Sequence, residues 1–204
     1  MNAAREELRL LVDEKCLTVG RSYTLTTGSQ SAFYFDCKKA MLDGECLSLI
    51  ADAFLEEAGK LPRFPQAIGG LTMGADFIVA AVIQRGFETG KPLVSGSIVR
   101  KEQKKHGAGN KIENELAEGT SIMVVDDVVT TGASTVAACD AFVAAGYDIV
   151  GIVALVDRES GGCETLARKY DCPVGAIFRK RDFPRIEQGT SGESESGESV
   201  VSDG

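Results

Sequence analysis

The chain has 204 residues, of which 44% are hydrophobic and 25% charged, and it carries a formal net charge of −8. That length suits one folding unit with a substantial core, and the composition is that of an ordinary globular protein rather than a disordered or membrane one. The acidic balance argues against nucleic acid as the main partner, because phosphate backbones demand clustered positive charge, and no apolar stretch is long enough to span a bilayer.

The chain opens with MNAAREELRLLVDEKC, whose leucines fall at helical spacing among charges. The segment lacks the basic start, apolar middle and small-residue cleavage site of a secretory signal, so a cytoplasmic address is expected. A polar glycine turn follows at Thr26–Gly28. The aromatic start of the segment Ser31–Met41, Phe33-Tyr34-Phe35, predicts an extended strand. A helix is predicted from Glu45 to Ala58, with Gly59 as its C-cap. This front part, residues 1–62, reads as a small hood on the rest.

From residue 63 onward, short β-branched runs alternate with alanine-rich amphipathic stretches. The predicted strands are Gln66–Gly69, Leu93–Val99, Ser121–Val125, Ile149–Val156 and Val174–Phe178, each mostly apolar. Between them lie predicted helices at Ala75–Arg85, Ser134–Ala145 and Glu164–Lys169. The expectation is an α/β fold with a mostly parallel central sheet flanked by helices. Hood and core (residues 63–187) would form one domain. Residues 188–204 are acidic and nearly free of large apolar groups, so a disordered tail is expected there. The six cysteines, at 16, 37, 46, 139, 163 and 172, form no close CxxC pair. Neither a disulfide framework nor a zinc site is suggested, and most should be small core residues.

Three segments carry chemistry. The first, Ile122-Met-Val-Val-Asp-Asp-Val-Val-Thr-Thr-Gly-Ala-Ser134, is an apolar strand ending in two carboxylates, then a turn of small hydroxyl residues, then a helix. Hydroxyls and backbone N–H groups from Thr130 to Ser134 suit a phosphate at a helix N-terminus, and Gly132 allows close backbone approach. Asp126 and Asp127 fall at the carboxyl end of a strand, where open α/β sheets place ligands. Alternation along a strand sends adjacent side chains to opposite sides, so the two make a poor shared-proton pair and better acceptors for sugar hydroxyls. An acidic first turn with a Ser or Thr helix cap is the plainer alternative for a lone Asp-Asp. The complete hydroxyl–glycine turn favours ligand binding.

The second segment, Ser97-Ile-Val-Arg-Lys-Glu-Gln-Lys-Lys-His-Gly-Ala-Gly-Asn110, gathers Arg100, Lys101, Lys104, Lys105 and His106, the single histidine of an acidic chain. A solvated charged loop is the plain reading. Gly107 and Gly109 instead suit a loop that closes over a polyanion. The third, Ala154-Leu-Val-Asp-Arg-Glu-Ser-Gly-Gly162, puts Arg158 at the end of another strand, able to grip a planar carboxylate through two hydrogen bonds. Its alternative is an ion pair with Asp157 or Glu159.

The run VVDDVVTTGAS resembles the donor-binding signature of the type I phosphoribosyltransferases, and the segment Arg100-Lys101…Lys104…His106 before a glycine-rich turn resembles the catalytic loop of the orotate-using members. The hood segments Tyr23–Ser31 and Phe33–Asp36 are similar to that family's glycine turn and aromatic strand. The likeness spans most of residues 15–160. It implies a type I phosphoribosyltransferase-like fold and transfer of ribose 5-phosphate from phosphoribosyl pyrophosphate to orotate, in pyrimidine nucleotide synthesis.

The resemblance also implies roles. Arg100, Lys101, Lys104 and His106 would bind the donor together with Asp126, Asp127, Val128, Val129, Thr130, Thr131, Gly132, Ala133 and Ser134. Lys104, His106, Asp126 and Asp127 would be catalytic, and Thr130 and Arg158 would bind orotate. Mg²⁺ would be held mainly by substrate and water. The enzyme would be a homodimer that shares its 100–110 loop across subunits. Thr26 and Met73 stand where some members carry lysines, so those contacts do not transfer, whereas backbone donors of Gly69–Gly74 remain suited to a diphosphate. Two rivals stay open: a purine or uracil enzyme using the same donor, and a ligand-sensing regulator without catalysis.

Overall fold

The computed structural model describes residues 2–24, 30–91, 95–102 and 111–191. Helix α1 (Ala3–Cys16) starts where the Asn2 side chain accepts from the Arg5 N–H, and it buries Leu8, Val12 and Cys16 at four-residue spacing. Strand β1 (Leu17–Thr24) pairs antiparallel with β2 (Gln30–Phe35), Leu17 opposite Phe35. A short helix α2 (Lys38–Met41) and the long α3 (Gly44–Lys60) complete the hood.

Two hood boundaries and one whole strand differ from expectation. The strand predicted over Ser31–Met41 stops at Phe35, because the chain then coils to bury Ala40 and Met41 in α2. The helix predicted to end before Gly59 runs through it to Lys60, whose ammonium bridges Glu56 and Glu57. The stop is instead Leu61, which caps the helix by donating to the Ala58 carbonyl and packs over Gly151. Strand β1 was not anticipated at all, since its apolar alternation is broken by Gly20, Arg21 and Ser22.

The core follows as β3 (Ala67–Leu71), α4 (Asp76–Glu88), β4 (Ser95–Val99), β5 (Ile112–Glu113), β6 (Ser121–Val129), α5 (Ala133–Ala144), β7 (Asp148–Asp157), α6 (Gly162–Lys169) and β8 (Val174–Arg179). A 3₁₀ turn at Lys180–Asp182 leads into α7 (Arg185–Ser191). The sheet order is β5-β4-β3-β6-β7-β8, and every pairing is parallel except that of β5 with β4.

Both faces are covered, and β6 displays the division. Met123 and Val125 join the apolar cluster of α1, α3 and α4, whereas Ile122 and Val124 join Phe142 of α5 and Leu166 of α6. Hood and core share the first cluster, in which Phe35 lies edge-on to Phe183. Ile186 of α7 is buried in the same cluster, and this anchor carries helix four residues into the stretch expected to be tail. Residues 192–204 lie outside the described residues.

This topology locates the site. From β3 the chain builds outward through β4 and β5, then returns to β6 and builds the other way, so β3 and β6 flank the switch point. They pair only as far as Gly69 opposite Val124. Beyond that the crevice opens.

Candidate active site

The turn that leaves β3 enters this crevice. It contains Thr72, Met73 and Gly74 and is pinned by the Thr72 N–H on the Val99 carbonyl and by the Thr72 hydroxyl on Asp76. Opposite it, β6 continues past its predicted end at Val125 to Val129, so Asp126 and Asp127 lie within the strand and the cradle begins at Thr130. The added length comes from continued pairing with β7, Val128 opposite Val156 and Val129 opposite Asp157.

Gly132 then takes φ +81°, which turns the chain into α5. A Cβ there would lie 3.2 Å from the Gly162 carbonyl and 3.3 Å from Leu166. No side chain among the described residues caps α5, so the plainer reading of a Ser or Thr cap is not realised, and the N–H groups of its first turn suit an anion. The loop Val128–Thr135 lines a cavity of ≈ 350 Å³, a good size for a phosphate with part of a sugar. Gly132→Ala is expected to destabilise the protein by about 1–2 kcal/mol, since a left-handed residue acquires a Cβ. Thermal denaturation checks this, and an unchanged melting temperature would contradict it.

The two carboxylates depart from the sequence expectation. Strand alternation does set Asp126 toward α5, where it accepts from the Thr135 hydroxyl at 2.8 Å, and Asp127 toward the hood. Yet each carboxylate curls back to accept from the next N–H, Asp127 N to Asp126 at 3.0 Å and Val128 N to Asp127 at 2.9 Å. Both side chains thereby reach over Gly74, where an added Cβ would lie 2.7 Å from an oxygen of each. Burial, then the Asp127 charge, push the Asp126 carboxyl up to about 7 against the opposing pull of the Thr135 hydroxyl and the Asp127 N–H. The sequence missed this convergence because only the turn after β3 supplies the common surface.

A larger cavity of ≈ 390 Å³ adjoins the first. It is lined by the Thr72–Gly74 turn, the carboxylate pair, Thr130, Ser134 and Lys101, with Tyr34, Phe35 and Lys38 from the hood and Arg158 from the end of β7. Lys38 was not singled out from sequence, where it is one basic residue among many. Burial opposes its charge, but the carboxylates of Asp127 and Asp36 outweigh that and hold its pKa above the usual lysine value.

Arg158 is 5% exposed, and its expected alternative partners are engaged elsewhere: Asp157 accepts from the Glu159 N–H, and Glu159 pairs with Arg181 at 3.2 Å. The guanidinium instead lies 4.4 Å above the Phe33 ring and donates to the Ser31 hydroxyl and the Phe33 carbonyl. Its Nε is buried with no hydrogen-bond partner among the described residues, and burial depresses its pKa. Among the described residues no carboxylate pairs with this cation.

The other predicted residues are distributed as follows. Val129, Thr131, Gly132 and Ala133 line the smaller cavity. Arg100 pairs with Glu113 of β5 at 2.7 Å and does not line either cavity. Lys104 and His106, like Thr26, lie outside the described residues. No group of three metal-ligating side chains occurs among the described residues.

Comparison with known proteins bears on this geometry. The profile of the phosphoribosyl transferase domain matches residues 47–186. The chain is 38% identical over 181 residues to an orotate phosphoribosyltransferase of Sorangium cellulosum, covering 88% of this chain and 92% of the relative. It is 36% identical over 192 residues to one of Thermococcus kodakarensis, covering 92% of this chain and 100% of the relative. The crystal structure of the Mycobacterium tuberculosis H37Rv orotate phosphoribosyltransferase in complex with 5-phospho-α-D-ribosyl 1-diphosphate is similar with a TM-score of 0.71 and 27% identity, over 89% of this chain and 99% of that one.

Proposed function

The chain belongs to the orotate phosphoribosyltransferase family, and from that membership we propose that its cleft joins a ring nitrogen of orotate to C1 of phosphoribosyl pyrophosphate. The products are orotidine 5′-monophosphate and diphosphate, a step of pyrimidine nucleotide synthesis. The observation that carries the choice of base is Arg158, a buried cation with no carboxylate partner among the described residues, facing the larger cavity. An unpaired buried charge is costly, and a planar carboxylate bound through two hydrogen bonds removes that cost. Orotate brings such a group where uracil does not.

In this reading the Thr130–Ser134 turn and the N-terminus of α5 hold the donor's 5′-phosphate. The ribose hydroxyls face Asp126 and Asp127, and the diphosphate lies toward Gly74 and Lys101. As the bond at C1 loosens, the ribose becomes cationic and the neighbouring carboxylates stabilise it electrostatically. Mg²⁺, held mainly by substrate and water, would supply charge neutralisation for the leaving diphosphate.

Lys104 and His106 are assigned from the resemblance to steady charge on the departing diphosphate. Lys104→Ala is accordingly expected to lower kcat far more than it weakens donor binding, and an unchanged kcat would remove that role. A homodimer sharing the 100–110 loop and a cytoplasmic location complete the proposal. No helix among the described residues is long and apolar enough to cross a membrane.

The test is steady-state turnover of the purified chain with donor, Mg²⁺ and orotate, uracil or a purine, repeated with chelator. Turnover with orotate alone, abolished by chelation, is the expected result. Turnover with uracil or a purine would overturn the role of Arg158, and donor binding without turnover on any base would favour a regulator.

A further inference from the structure

The carboxylate pair has a property that binding of sugar hydroxyls does not by itself require. Asp126 and Asp127 start from opposite faces of β6 yet bring an oxygen each to within 2.7 Å of the same point above Gly74. Neither is free to swing away. Asp126 is held on one oxygen by the Asp127 N–H and on the other by Thr135, itself 1% exposed, and Asp127 is held by the Val128 N–H.

From α5 the titratable neighbour of Asp126 is the thiol of Cys139, and from the hood Cys37 and Asp36 sit near Asp127. Among the described residues Lys38 acts on Asp127 and pairs with Asp36 at 3.5 Å, and Lys101 and Arg158 line the same cavity as the pair. Asp126 is 5% exposed, and two full negative charges converging there repel each other strongly. Two carboxylates sharing a site relieve such repulsion by retaining a proton.

We propose that in the free protein Asp126 and Asp127 hold one proton between them over Gly74, and that entry of the phosphoribosyl donor expels it to solvent. The second half rests on the reading of this cleft as the donor site. The proton rests on Asp126, the more buried of the two. The donor's ribose hydroxyls are hydrogen-bond donors and need acceptors. A protonated carboxyl offers one acceptor fewer than a carboxylate, so binding favours the ionised pair. The step is a simple acid dissociation, with the proton going to water. The raised affinity of Asp126 for its proton, about 7, agrees with the arrangement.

A consequence is that donor affinity rises with pH. With a midpoint of about 7, the ionised fraction grows about tenfold from pH 6 to pH 8, so donor binding should tighten by about that factor.

The experiment is a ¹³C NMR titration of the full chain labelled at aspartate carboxyl carbons, first alone and then saturated with phosphoribosyl pyrophosphate and Mg²⁺, with Asp126→Asn used to assign the signal. The expected result is one carboxyl titrating near neutral pH in the free protein, missing in the variant, and absent from that range once the donor is bound. If every aspartate of the free protein titrates in the ordinary carboxylate range, the shared proton is overturned. If the neutral step exists but persists in the donor complex, its expulsion is overturned. Both readouts use donor alone, so a failure of orotate to react would refute the choice of base and leave this result intact.

Discussion

Replacing Arg158 by leucine is expected to raise KM for orotate by about 10²–10³-fold, the effect of truncating one partner of a buried charged pair, while donor binding changes little. In the proposed reaction the guanidinium meets the base's carboxylate, and its Nε has no hydrogen-bond partner among the described residues. The same change should leave the melting temperature equal or higher. Leucine gives up two hydrogen bonds and the stacking on Phe33, but it also ends the burial of an unpaired charge. Arg158→Lys would keep the charge and lose the planar fork, so it should restore little affinity. Kinetics with orotate varied at saturating donor, together with a thermal melt, test both halves. An orotate KM within twofold of the parent would mean that Arg158 does not touch the base.

Asp126→Asn is expected to lower kcat by about 10²-fold or more, the usual loss when one preorganised electrostatic group is removed, and to stabilise the protein above neutral pH. The sign follows from linkage. Asp126 has a folded-state pKa of about 7, above the ordinary aspartate value of 3.8, so between those limits the folded chain binds more protons than the unfolded one. Stability from this group is full below the lower limit and is lost as pH rises to about 7, after which the deficit is constant. For a buried, interacting carboxyl the deficit is on the order of 2–4 kcal/mol. Asparagine cannot ionise and escapes it. Its melting temperature should therefore exceed the parent's by roughly 4 °C or more at pH 8, with the gap closing toward pH 4. A gap independent of pH would assign the change to packing rather than to ionisation.

Much of the scaffold was legible in the sequence. The five core strands and their three helices were found within a few residues because β-branched runs and alanine-rich amphipathic stretches have different periods. The elements missed were those whose signal is broken or borrowed. Strand β1 is interrupted at Gly20–Ser22, β5 is two residues long, and α7 is held by Ile186 in a core that the sequence does not display. The extension of β6 to Val129 was missed for a related reason, since pairing with β7 overrides the polar Asp126 and Asp127 that suggested an end.

The site divides along the same line. The sequence by itself determined the chemical groups: a strand leading to carboxylates, a hydroxyl–glycine turn before a helix, an arginine at the end of the next strand. These are consecutive residues whose roles follow from local geometry, with ligands gathering at strand ends and helix N-termini. Only the tertiary structure decided which of those groups meet. It brought Gly74 from the far side of the crevice beneath Asp126 and Asp127, set Lys38 beside Asp127, and folded Phe33 of the hood under Arg158 while its sequence neighbours found other partners. Convergence and charge balance depend on distances between segments far apart in the chain, and those distances are set by the packing of hood, sheet and helices around one core.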